Sequence, residues 1–197
     1  MTLLFQCRPS RCGRVLLRCL LLWATLVCAP AVLAQEARLP DYQVKAAFLY
    51  NFGKFVEWPD GVFAATNAPL VIGVLGTDPF HGDLERLAAN QHINGHPIVV
   101  RPIKTDSDLN KCHILFLATL EKAEVRDALK TLDGASVLTV SETDNFLAAG
   151  GMIQFLIENR KVHFAINNEA ARHAGLKTSS KLLALARPAD KRGGCQK

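Results

Sequence analysis

The chain has 197 residues, 49% of them hydrophobic and 21% charged, with 23 Lys and Arg against 18 Asp and Glu. Four of those basic residues, Arg8, Arg11, Arg14 and Arg18, and no acidic residue lie in the first 34 positions, so the remainder carries 19 basic against 18 acidic groups. That balance excludes the clustered basic surface by which proteins displace counterions from nucleic acid, and the remaining length suits one domain able to bury its own core.

The first 34 residues have the pattern of an export signal. The four arginines form a basic n-region, Cys19 to Leu33 holds no charge, and Val32-Leu33-Ala34 offers small residues at a cleavage site before Gln35. The uncharged run is shorter than the roughly 20 residues of a spanning helix, and Pro30 interrupts it. A cleaved leader over 1–34, an α/β domain over 35–187 and a polar, disordered tail over 188–197 are therefore predicted, with the mature protein in the periplasm. Cleavage removes Cys7, Cys12, Cys19 and Cys28. Cys112 and Cys195 remain, which rules out a disulfide-built scaffold. Neither is predicted to form an intramolecular bridge: Cys112 precedes an apolar strand and reads as a buried free thiol, and Cys195 is free or pairs between molecules.

Beyond the leader, Asp41 is placed to cap a helix to about Trp58, with Val44, Phe48, Phe52 and Phe55 as its apolar stripe and Pro59 as its stop. Leu70 to Leu75 is an apolar strand closed by Gly76, and Asp78-Pro79 opens a predicted helix to about Asn90. Asn94-Gly95 is a turn. Ile98 to Ile103 and His113 to Ala118 are strands joined by the polar stretch Lys104 to Lys111, too short for a full crossover helix. Thr119 can cap a helix to about Leu132. Val137 to Val140, Met152 to Glu158 and Lys161 to Ile166 are the last strands, with Asn159-Arg160 as a hairpin turn. Two helices follow, from Asn167 or Asn168 to Ala174, stopped by Gly175, and from Ser179 or Ser180 to about Arg187. Runs such as Val71 to Leu75 are apolar on both faces, whereas Lys161 to Ile166 alternates. The pattern predicts a three-layer α/β sandwich: a mostly parallel six-stranded sheet with a C-terminal antiparallel hairpin and helices on both faces.

No catalytic, metal or cofactor site is predicted. The loop Gly76 to Gly82 follows a strand but lacks the glycine spacing of a phosphate cradle; Pro79 removes a donor and Asp78 would repel an anion. His92 and His96 have helical ligand spacing, but Asn94-Gly95 breaks the helix that would align them. His113 and His163 read as strand-boundary residues with satisfied hydrogen bonds, and Ser141, Ser179 and Ser180 stand in no nucleophile elbow. Two local features are less ordinary. Gly150-Gly151 precedes a strand, where paired glycines serve either a tight turn or the close approach of a ligand or backbone. Asn51 falls on the same side of the first helix as Val44 and Trp58, a polar group along an apolar stripe.

The ordered motifs Tyr42 to Phe52 with Phe55-Val56-Glu57-Trp58-Pro59, Val74 to Phe80, Cys112 to Phe116, Val137 to Val140, Phe146 with Gly150 to Ile153, Val162 to Asn167 and Ser179 to Ala186 resemble the YfiR-like family of periplasmic proteins over nearly the whole mature chain. The resemblance implies a non-catalytic repressor of an inner-membrane diguanylate cyclase that lowers cyclic di-GMP and biofilm formation. It further implies a homodimer that responds to outer-membrane partners or to the redox state of its cysteines. Relatives carry a cysteine where Gly73 stands here, facing the counterpart of Cys112, so redox sensing by that pair is not expected of this chain. The alternative is a small-molecule-binding sensor subunit of another membrane signalling protein. The residues expected to form the partner or ligand surface are Lys45, Asn51, Gly150, Gly151, Lys161 and His163, with Lys45 and Lys161 taken as exposed.

Overall fold

Two-sided apolar runs place four short strands at the centre of one sheet, and their neighbours complete it to seven. The computed structural model describes residues 39–118 and 120–188; the predicted leader, the predicted cap Thr119 and all but the first residue of the predicted tail lie outside them. The strands are β1 (Val56–Glu57), β2 (Leu70–Leu75), β3 (His92–Ile93), β4 (His96–Ile103), β5 (Ile114–Leu117), β6 (Leu138–Ser141), β7 (Ile153–Glu158), β8 (Lys161–Ile166) and β9 (Lys177–Thr178). The helices are α1 (Leu39–Phe55), α2 (Asp83–Ala88), α3 (Lys122–Thr131), α4 (Asn168–His173) and α5 (Ser180–Leu185), with a 3₁₀ helix over Asp106–Lys111.

The main sheet has the order β3-β4-β2-β5-β6-β7-β8. Its five central strands are parallel, and β3 and β8 pair antiparallel at the two ends. The chain starts at β2, steps to β4 on one side and then crosses to β5 on the other, an order shared with doubly wound sheets. Side chains alternate across it. Leu70, Ile72, Ile114, Phe116, Leu138, Val140, Phe155 and Phe164 pack with α1, α2, α4 and α5 in one core. Val71, Leu115 and Leu117 pack with the 3₁₀ helix and α3 in a second core on the opposite face.

Six strands were expected in the sheet and seven are present, because the two residues of β3 are too few to carry a periodic signal. They form a hairpin through Asn94 and Gly95, both at positive φ (52° and 88°), which sets the pairs Ile93 with His96 and His92 with Pro97. The predicted helix from Asp78 to Asn90 is shorter. Asp78 Oδ1 accepts a hydrogen bond from the Phe80 N–H at 2.8 Å, and positive φ at His81 and Gly82 delays α2 to Asp83. Helix α1 begins at Leu39, so Asp41 lies inside its first turn and is not the cap. It also ends three residues early, since Val56 and Glu57 pair with Thr178 and Lys177 of β9. Helix α3 is closed by a capping box between Glu121 and Glu124. The caps of the last two helices are Asn167, accepting from the Ala170 N–H at 3.1 Å, and Ser179, accepting from the Leu182 N–H at 3.2 Å. Helix α5 stops at Leu185, two residues before the expected end, and the extended chain then lets the Arg187 N–H donate to Phe164 O at 2.8 Å beside β8.

Candidate functional site

Helix α1 crosses the sheet with Phe52 stacked on Phe155 (5.9 Å) and edge-on to Phe164 (5.2 Å), and Phe48 also edge-on to Phe164 (5.3 Å). Its buried positions are Lys45, Ala46, Leu49, Phe52 and Gly53, while Val44 is 43% exposed and Phe48 and Phe55 are half-buried. The apolar stripe is thus turned by about one residue from the one expected. Asn51 lies half-exposed on the flank of the helix and makes no break in the buried stripe.

Lys45 requires the clearest correction. It is 2% exposed, not a surface lysine, and its ammonium forms an ion pair with Glu142 just beyond β6. The Tyr42 hydroxyl donates to the other oxygen of that carboxylate at 2.9 Å, and the Lys45 Nζ lies 4.2 Å from the centre of the Tyr42 ring. Burying the charge is tolerated because carboxylate and aromatic face meet it together.

The glycine pair divides its work. Gly150 has φ of 101° with open space where a side chain would stand, whereas a Cβ on Gly151 would come within 2.3 Å of the Phe146 ring. Lys161 is exposed and His163 half-buried on β8, next to a turn in which Asn159 and Arg160 both adopt positive φ (51° and 60°). The six predicted surface residues therefore serve different places: an internal ion pair, a helix flank, a packed turn and a hairpin end.

A cleft of about 280 Å³ that the sequence patterns did not single out lies between α1, β1 and the β3–β4 turn, lined by Trp58, Phe63, Leu70, Ile93, Asn94 and His96 among others. Phe63 is held in a stack, 3.8 Å from the His96 ring on one side and 4.3 Å from the His113 ring on the other. The His96 Nδ1–H donates to Ala68 O at 2.7 Å, and His113 Nδ1 accepts from the Val71 N–H at 3.0 Å. The two histidines are thus tied to the backbone. Trp58 stands edge-on to both Phe63 and His113, and its indole N–H is buried with no hydrogen-bond partner among the described residues. Among the described residues no group of three His, Cys, Asp or Glu side chains is placed to hold a metal ion.

Burial, with a smaller contribution from His96, lowers the His113 pKa from 6.5 to about 4. The unfolded chain therefore takes up this proton first as pH falls. Stability from His113 is complete above about pH 6.5, declines between pH 6.5 and pH 4, and levels off below, a loss of about 3 kcal/mol. Urea titrations at successive pH values should show this decline in wild type and a flatter profile in His113→Asn.

Cys112 is free and buried; its thiol donates to Leu109 O at 3.0 Å, and burial pushes its pKa up to about 12. A Cβ placed on Gly73 would stand 2.8 Å from Ile103 Cγ1 and 3.2 Å from the Cys112 Cβ, so a side chain at 73 would lie beside Cys112 only if Ile103 gave way. Cys195 lies outside the described residues. Because thiolate is the reactive form, Cys112 should resist an aromatic disulfide reagent in the folded domain and react at the rate of unfolding; rapid native-state labelling, read by mass spectrometry of the Cys112 peptide, would contradict its placement.

Compared with known proteins, the chain matches a family model described as YfiR/HmsC-like over residues 42–187. No curated protein matches it.

Proposed function

Since the chain belongs to the YfiR/HmsC-like family, we propose that it is a periplasmic, non-catalytic regulator that restrains an inner-membrane diguanylate cyclase and so lowers cyclic di-GMP. The observation that carries this reading is the extent of the match, which runs from α1 to the residue that docks on β8 and so takes in every strand and nearly all of α1. The basic leader with its cleavage site supports export. No helix among the described residues is long and apolar enough to cross a membrane. The regulator acts through surfaces: the periplasmic part of the cyclase binds it, it pairs as a homodimer, and an outer-membrane partner relieves the repression. The exposed face of α1 and the β7–β8 hairpin are the contact surfaces, with Lys161 and His163 contributing and Lys45 acting from within.

Deleting the protein should raise cyclic di-GMP in the cell, and the purified domain should turn over neither nucleotide nor cell-wall fragment. An unchanged cyclic di-GMP level would sink the reading. The cleft beside Trp58 favours one second reading, a sensor whose small ligand biases partner binding. A thermal-shift screen separates the two, because a ligand bound only by the native state raises its melting temperature. A Trp58→Ala variant that lost such a shift would place the ligand in the cleft.

A further inference from the structure

We propose that the outer edge of β8 takes up an extended, acidic segment of the membrane partner by strand addition, a claim that rests on the regulatory reading above and specifies its contact. Strand β8 ends the sheet order, so one side of it is unpaired by any neighbouring strand among the described residues. Only its far half is covered. The Arg187 N–H donates to Phe164 O, and Arg187 forms a parallel bridge with Ala165. Phe164 thus directs its carbonyl outward, and the alternation along an antiparallel strand turns the N–H and C=O of Val162 the same way.

The side chains around this open stretch have the composition of an interface. Ile157, opposite Val162 in the hairpin, is 58% exposed, and Leu185, two residues before the docked Arg187, is 66% exposed. An edge of this kind is a template for another chain unless it is blunted by charge or covered. The charges present are chiefly cationic: Arg160, Lys161 and Arg187 against Glu158, which is 3.5 Å from Arg187. That sign disfavours a second copy of the same edge, since an antiparallel pairing about Val162 would bring the Arg160 and Lys161 of both copies to one seam and gather like charges. It favours a strand with apolar residues for Ile157 and Leu185 and carboxylates for Arg160 and Lys161.

Amide hydrogen exchange of the intact protein, with and without detergent-solubilised inner membrane from the same cells, tests the assignment. The Val162 amide should slow at least tenfold in the presence of membrane extract, and the slowing should vanish in Lys161→Glu. Free exchange at Val162 in the extract would overturn the proposal, as would slowing that appears with protein concentration alone, the signature of a second copy. Val162→Pro removes an outward N–H, which an edge strand tolerates, and trades a half-buried side chain at the core margin for a ring of similar size; it should keep its melting temperature within a few degrees and lose half or more of the repression. Protection at Val162 with cyclic di-GMP unchanged on deletion would uphold strand addition and reject the repressor reading; the converse would reject strand addition alone.

Discussion

Glu142→Ala is expected to lower the unfolding free energy by about 3 to 4 kcal/mol, because it leaves the Lys45 ammonium buried without its counter-charge. Lys45 is 2% exposed, so its charge lies out of water in the packing that docks α1. The loss also removes the hydrogen bond from Tyr42 and frees the N-terminal half of α1 from the loop after β6. Removing the other partner should cost far less. Lys45→Met fills a similar volume without charge, and the remaining carboxylate is 27% exposed and keeps its bond from Tyr42; a cost of about 1 kcal/mol is expected. Melting temperatures should show the asymmetry, a fall of about 10 °C for Glu142→Ala against a few degrees for Lys45→Met. Equal falls would mean that Lys45 reaches solvent.

Gly151→Ala should cost about 3 kcal/mol although it adds one methyl group. The new carbon would lie 2.3 to 2.5 Å from three atoms of the Phe146 ring, itself 1% exposed in the core beneath α3. A rigid ring in a packed site cannot swing aside as the end of an aliphatic chain can, so either Phe146 leaves its rotamer or the turn before β7 shifts. Gly150→Ala meets no neighbour within 4 Å, but its φ of 101° makes it costly through backbone strain alone. The two variants should separate when Phe146 is shortened: Phe146→Leu should recover part of the stability of Gly151→Ala and none of that of Gly150→Ala. Parallel losses in both backgrounds would contradict the packing account.

The legible parts of this fold are those whose signals are local. Strand β2 coincides with the apolar run Leu70–Leu75, β8 with the alternating run Lys161–Ile166, and the turns at Asn94-Gly95 and Asn159-Arg160 with their turn-forming dipeptides. What sequence pattern missed depends on partners far along the chain. Helix α1 gives way at Val56 because β9 pairs with it, and Lys45 is buried because Glu142, 97 positions away, neutralises it. Reading Lys45 as exposed was the natural inference from one helix taken alone. The cleft shows the same limit. Trp58, Phe63, His96 and His113 come from separate stretches, none of them periodic with another, and they meet because the sheet order places β4 and β5 on either side of β2. The one advance sign was that Trp58 stood with Pro59 where the helical pattern broke off.

The central claim is that this domain restrains cyclic di-GMP signalling from the periplasmic side of the inner membrane. Its most direct test is cyclic di-GMP measured by mass spectrometry in a deletion strain that expresses either the full chain or the chain without residues 2–34, at matched protein levels. The account predicts that the full chain returns cyclic di-GMP to the wild-type level and that the leaderless chain, folded but retained in the cytoplasm, leaves it raised. Equal restoration by both forms, or by neither, would contradict it.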